Sequence, residues 1–200
     1  MSETPSSLSA AKATLRQKII HQRDTLNTAA RAAASARITD RILSLECFQR
    51  ARCMLAYASM GSEFDTSALL SHVMAAGQGR RLALPRVDQA NRVLQLFFVT
   101  HLERDLQPGI WGIREPHPDR CLPAPLDEID LVLAPGVAFT RRGERLGYGA
   151  GYYDRLIARF NPHPAIIAAA FDIQITPGVP LSATDQPVDC VVTESAIYHR

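Results

Sequence analysis

The sequence predicts an α/β fold, a three-layer sandwich with a mostly parallel, Rossmann-like sheet covered by helices on both faces. Three observations carry this expectation. Short strand-like stretches alternate with helix-like ones, the order in which crossovers join parallel strands. Several strand-like stretches, DLVLA at 130–134 and AIIAAAF at 165–171 among them, are apolar almost throughout, as strands covered on both sides must be. The length of 200 residues, 46% hydrophobic and 21% charged, suits one ordinary globular unit, so residues 1–200 are expected to form a single domain.

The elements follow in order. Ser9 is a candidate N-cap for a helix to about Leu26, in which Leu15, Ile19 and Leu26 are apolar and Lys12, Arg16 and Arg23 carry charge. Asn27 or Thr28 caps an Ala-rich second helix to about Leu45. RCMLAY at 52–57 reads as a short buried strand, and SMGSEFDT at 59–66 as the loop into a helix that ends before Gly77. RRLALPRV (80–87) and RVLQLFFVT (92–100) supply two more strands, and the Pro- and Gly-rich run from Gln107 to Pro125 breaks regular structure around Trp111. DLVLA is a strand stopped by Pro135-Gly136, and YYDRLIARF at 152–160 has helical spacing with Tyr153, Leu156, Ile157 and Phe160 on one side. AIIAAAF and DCVVT (189–193) complete the strands; ligands of such folds sit at the carboxyl ends of strands.

A formal net charge of +2 is too mild for a polyanion binder, so nucleic acid is not an expected partner, while small anions are. Cys47, Cys53, Cys121 and Cys190 form no CxxC pair and have no closely spaced histidines, which suits buried reduced thiols better than zinc. The six histidines are scattered without metal-ligand spacing. No stretch approaches the roughly 20 apolar residues that span a bilayer, and the N-terminus lacks an apolar targeting core; a cytoplasmic protein is expected.

RLGYGAGYYDR at 145–155 is the stretch that carries chemistry. Glycines at alternate positions let backbone N–H groups point into one concavity, and the helix expected just after adds its positive end, a combination that favours phosphate. Arg145 in front offers a fork of charged donors, and Asp154 offers a carboxylate oxygen to Mg2+. A tight turn with a favourable helix-start charge explains the same letters. A Walker loop is excluded because GK[ST] is missing; a dinucleotide fingerprint is weakened because Tyr152 takes its third glycine position, although Asp172 mimics its ribose-binding acid.

RLGYGAGYYD resembles the RLGxGxGYYD motif of the 5-formyltetrahydrofolate cyclo-ligase family, also called methenyltetrahydrofolate synthetases. The likeness continues in the same order along the chain. AKATLR (11–16) is similar to the family's K-x-x-x-R helix, SMGSEFDT to its loop with the glutamate, and WGIREP (111–116) to its Trp-x-I-x-x-P. LVLAPGVAF (131–139) is similar to its strand and turn, and VDCVV (188–192) to its Val-Asp segment; Tyr148 and Ala150 stand where the family varies.

The resemblance implies ATP- and Mg2+-dependent conversion of 5-formyltetrahydrofolate to 5,10-methenyltetrahydrofolate with release of ADP and phosphate, through phosphorylation of the formyl oxygen and attack by N10. It implies ATP contacts from Lys12, Arg16, Arg145, Leu146, Gly147, Tyr148, Gly149, Ala150, Gly151, Tyr152 and Tyr153, with catalytic parts for Arg145 and Tyr153. It implies folate contacts from Ala58, Glu63, Trp111, Tyr148, Gly149, Ala150, Gly151 and Tyr152, and Mg2+ held by Asp154 and Asp189. The partners so implied are ATP and the folate, with or without a polyglutamate tail, in a monomer or weak dimer.

The residues themselves fit these roles and plainer ones. Lys12 and Arg16, four apart, share a helix face that suits phosphates or simple solvation. A loop carboxylate at Glu63 suits two N–H donors of an aminopyrimidine, or a helix-start charge. Trp111 suits stacking on a flat ligand, or a core anchor. Two other function classes stay open: a nicotinamide-dependent oxidoreductase using Asp172, and a nucleotide-sensing or RNA-associated module using the Lys12/Arg16 face.

Overall fold

The structure, a computed structural model, describes residues 5–75 and 79–200. From the amino terminus the chain forms α1 (Pro5–Asp24), α2 (Thr28–Ser44), α3 (Glu46–Arg50), β1 (Cys53–Leu55), α4 (Ser67–Ala75), β2 (Arg81–Asp88) and β3 (Val93–Val99). It continues through α5 (Leu102–Asp105), β4 (Leu106–Pro108), β5 (Arg114–Pro116), β6 (Leu131–Leu133), β7 (Ala138–Phe139) and β8 (Arg145–Leu146). α6 (Tyr152–Ile157), β9 (Ala165–Ala169), β10 (Cys190–Val192) and β11 (Ile197–His199) complete it.

Seven strands lie in the order β11-β10-β9-β6-β1-β2-β3. Every pairing from β10 to β2 is parallel, while β11 and β3 are antiparallel at the two margins. The mostly parallel sheet is as the apolar runs predict; the long β2–β3 ribbon is a hairpin turned by Asp88, whose carboxylate accepts the N–H of Asn91 at 3.0 Å. Pro85 sits inside β2 without harm because β1 ends alongside Ala83, so no neighbour on that side needs the missing N–H. Along the outer margin of β3 the segment around Pro123 lies as a cover: Phe98 N–H donates to Leu122 at 2.8 Å and Ala124 N–H to Leu96 at 2.8 Å.

Two apolar layers flank the sheet. On one face Ile38 and Ile42 of α2, Phe48 of α3 and Leu69, Leu70 and Val73 of α4 pack on Met54, Leu82, Leu84, Leu131 and Leu133. On the other, Leu156 and Ile157 of α6 with Phe160 pack on Leu55, Ala83, Val132 and Ile166. Each such side chain contributes about 1.5–3 kcal/mol when fully buried. Ile19 of α1 docks separately on Val137, Ala138 and Leu146, which fastens this helix beside the glycine loop.

Several expected boundaries shift. Ser9 lies within α1, which already begins at Pro5, a residue suited to the first turn because its absent N–H is unpaired there anyway. Asn27 does cap α2, accepting the N–H of Ala30 at 2.7 Å. α6 stops at Ile157, shorter than its helical spacing suggests, and the proposed stop at Gly77 lies outside the described residues. The run from Gln107 to Pro125 does break around Trp111, at φ 59°, but on either side of that break β4 and β5 pair as a small hairpin with Trp111 at its tip. No helix among the described residues is long and apolar enough to cross a membrane.

Asp105 anchors that hairpin. Its side chain is buried and accepts Thr100 N–H, Thr100 Oγ1–H and His101 N–H, each at 2.9 Å, while Arg104 donates to it at 2.8 Å. Burial works against its charge, but these donors override it and hold the carboxyl well below the usual range. A depressed folded value means the stabilisation is complete above the unfolded carboxylate value near 3.8 and lost as pH falls below it. Denaturant midpoints measured from pH 6 to pH 3 are therefore expected to drop, with a shallower drop in Asp105→Asn; equal slopes would rule out this source of acid sensitivity.

Candidate functional site

A cleft of about 1140 Å3 opens where β1 and β6 end, lined there by Ala58 and Pro135. Single small-molecule sites commonly span ~300–1,000 Å3, so the cleft has room for two ligands together. Lys12, Arg16, Ala58, Glu63 and Trp111 line it with every residue from Arg145 to Asp154. One expected site residue is absent: Asp189.

The glycine loop forms one wall. Gly149 and Gly151 take left-handed φ values of 109° and 68°, conformations that side chains resist, so glycine lets the chain reverse there. Among the described residues, none accepts a hydrogen bond from the backbone N–H groups of residues 147–151. Arg16 holds the loop from α1, its Nε donating to the carbonyl of Gly147 at 2.8 Å, and its guanidinium stands within 3.5 Å of where a Cβ at Gly149 would be. With six residues, α6 adds little dipole; amides and cations set the local potential.

Arg145 does not stand as a fork at the loop's front. It is buried behind the loop, its guanidinium donating to Asp154 Oδ1 at 2.5 Å and to the carbonyl of Pro135 at 3.2 Å. Its Nε has no partner among the described residues, and neither has the buried hydroxyl of Tyr153 beside it. Desolvation pulls the Arg145 pKa down against the attraction of Asp154, and burial pushes the Tyr153 phenol well up. Two buried polar groups left unpaired among the described residues are uncommon in a finished core.

Asp154 is likewise engaged, accepting the N–H of Gln186 at 3.0 Å besides Arg145. Three residues on, Asp189 turns to the amino-terminal ends of β9 and β10. There its exposed carboxylate accepts the N–H of Ile166 at 2.8 Å. The acid that reaches the cleft near Asp154 is Asp185, paired with Lys12 Nζ, which also donates to Ser182 Oγ at 3.3 Å. Lys12 therefore meets a protein carboxylate, and Asp185 is held below the usual carboxylate range because these hydrogen bonds outweigh its burial. Among the described residues no group of three or more acids, cysteines or histidines is placed to hold a metal unaided. Asp154 and Asp185 fit Mg2+ all the same, since that ion is usually taken by one or two carboxylates plus phosphate oxygens and water; Asp189 does not.

Glu63 sits across the cleft, buried after β1. It accepts the hydroxyl of Tyr148, reached from the glycine loop, and the N–H of Met60 at 2.9 Å. Burial raises its pKa in spite of these donors and of Arg23 nearby. Trp111 is 59% exposed, so it is no core anchor; its ring meets Tyr152 edge-on with centroids 6.3 Å apart. Tyr152 faces the cleft beneath the guanidinium of Arg155, 5.1 Å from its ring centre, while Tyr153 turns inward. Asp172 lies outside the cleft, its carboxylate accepting the hydroxyl of Ser195 at 2.8 Å, which removes the acid that a dinucleotide reading needs.

Sequence reasoning missed Arg23, Tyr57 and the segment from Ser182 to Gln186. Arg23 had a readable signal: with Lys12, Arg16 and Ile19 it follows steps of four, three and four, which marks one helix face. Tyr57, next to Glu63 and buried, and Asp185, on a loop, show no local pattern.

Comparison with known proteins adds an independent line. The model of the 5-formyltetrahydrofolate cyclo-ligase family matches residues 8–194. The 5-formyltetrahydrofolate cyclo-ligase of Mus musculus is 28% identical over 197 residues, covering 94% of this chain and 96% of its own. That of Escherichia coli K12 is 30% identical over 149 residues, 74% of this chain and 81% of its own. The solution structure of the 5,10-methenyltetrahydrofolate synthetase of Aquifex aeolicus superposes with a TM-score of 0.82 at 31% identity, covering 94% of this chain and 92% of that one.

Proposed function

Because the chain belongs to the 5-formyltetrahydrofolate cyclo-ligase family, we propose that it converts 5-formyltetrahydrofolate to 5,10-methenyltetrahydrofolate, using ATP and releasing ADP and phosphate. The observation that carries this reading is that the glycine loop, whose amides have no acceptor among the described residues, and the buried carboxylate of Glu63 line a single cleft. Amides suit a triphosphate, and the carboxylate suits the N–H donors of an aminopyrimidine.

A formamide carbon is a poor electrophile and its oxygen a poor leaving group. Transfer of the terminal phosphoryl group to that oxygen forms an O–P bond and releases ADP; N10 of the same folate then attacks the carbon and loses its proton, and the C–O bond breaks with its electrons leaving on phosphate. Such chemistry needs alignment and charge neutralisation more than a protein nucleophile. Gly147 to Gly151 hold the phosphates, with Arg16 and Lys12 adding positive charge along the loop. Arg145 Nε and the Tyr153 hydroxyl, both unpaired, are donors for oxygens whose charge grows during transfer. Glu63 orients the pterin and Trp111 covers its face. Mg2+ carried on the nucleotide would neutralise phosphate charge beside Asp154 and Asp185. Four free thiols suit a reducing compartment, for which the cytoplasm is our choice.

The test is a mixture of protein, 5-formyltetrahydrofolate, Mg2+ and ATP followed by methenyltetrahydrofolate absorbance. Product is expected only with ATP present, and Glu63→Ala is expected to lower kcat/KM by roughly 100-fold or more. An undiminished rate without ATP would overturn the reading.

A further inference from the structure

Tyr148 joins the two halves of the cleft. It rides on the glycine loop between Gly147 and Gly149, yet its hydroxyl donates to Glu63 Oε1, the carboxylate on the opposite wall. Arg23 fixes the direction of that bond. Its NH1 donates to the Tyr148 oxygen at 3.1 Å, so the phenolic proton is left for Glu63. Arg23 is itself 4% exposed and held by Ser62 Oγ at 2.9 Å, which in turn donates to Asp24. With Met60 N–H on Oε2, both oxygens of Glu63 already carry a protein donor.

We propose that Tyr148 is a positioning residue through which an occupant of the glycine loop makes Glu63 available to the second ligand. Without nucleotide, the Tyr148 hydroxyl competes with an incoming aminopyrimidine N–H for Oε1. A phosphate gathered by the loop amides draws the backbone of residues 147–149 toward itself, and flanking glycines let Tyr148 follow. Glu63 then exchanges an internal donor for the ligand's. The nucleotide and the pterin thus bind with positive coupling, and the coupling is the same whichever binds first.

This inference rests on the proposed function and is tested by calorimetry of 5-formyltetrahydrofolate binding with and without saturating ADP, in the unaltered chain and in Tyr148→Phe. The unaltered chain is expected to bind the folate about tenfold more tightly with ADP. Tyr148→Phe keeps the ring and removes the hydroxyl; it is expected to bind the folate tightly in both conditions, and to bind ADP without folate more tightly than the unaltered chain by a similar factor. Equal coupling in both proteins, or none in the unaltered chain, overturns the role of Tyr148 while leaving the proposed function standing. Failure to bind either ligand overturns both.

Discussion

Asp154→Ala is expected to lower the free energy of unfolding by about 3–5 kcal/mol and to cut turnover by roughly 1,000-fold. The stability term comes from Arg145. Its side chain is 2% exposed, and Asp154, 19% exposed, is its counter-charge at 2.5 Å. Removing the carboxylate leaves a buried guanidinium without its counter-charge, held only by the Pro135 carbonyl, a situation far costlier than the pair itself is stabilising. It also frees Gln186 N–H, loosening the segment that brings Asp185 to the cleft. Chemical denaturation followed by circular dichroism reads the first term and the methenyl assay the second. Replacing both partners, Arg145→Met with Asp154→Leu, is expected to restore most of the stability and none of the turnover. An Asp154→Ala protein as stable as the unaltered chain would show that Arg145 does not depend on this pair.

Among the described glycines outside the cleft, Gly143→Ala is expected to be the most damaging, at about 3 kcal/mol or more. Gly143 has φ 79°, and a Cβ there would lie 2.1 Å from the carbonyl oxygen of Val188. Backbone cannot rotate out of the way as a side chain can. The two residues are also bonded, Val188 N–H donating to the Gly143 carbonyl at 2.8 Å, so the methyl pushes apart a junction that leads directly into β10. Gly61→Ala is the matched control, with φ 56° and no atom within 4 Å of the added carbon, and isolates the conformational penalty. Equal losses in the two variants would show that the contact with Val188 is irrelevant.

Much of the sheet was legible because a strand covered on both faces must be apolar on both, and AIIAAAF and DLVLA say so without reference to anything distant. Orientation at the margins was legible on one side only. The four residues from Asp88 to Asn91 are too few for a parallel crossover, so β3 had to run antiparallel to β2, whereas β11 is too short to announce itself. At the site, spacing told which residues share a face but not what faces them. Lys12 and Arg16 do line the cleft from one helix side, yet the carboxylate opposite Lys12 comes from Asp185, 173 residues later. Arg145 illustrates the same limit: a cation before a glycine run suggests a ligand fork, and only the fold reveals that it is buried against Asp154. Asp189 was placed by its likeness to a motif; as the residue before β10 it is bound to the neighbouring strand's backbone.

The margins of the sheet carry a consequence for how copies of this chain meet. β3 is overlaid by the Leu122–Ala124 segment, and β11 spans three residues, Ile197–His199. Neither flank offers a long row of vacant peptide groups on which a foreign ribbon could grow. Strand-swapped fibres and sheet extension are thereby discouraged by the architecture itself, which leaves crowded, concentrated solutions of this protein better protected against clumping than a bare open sheet would be.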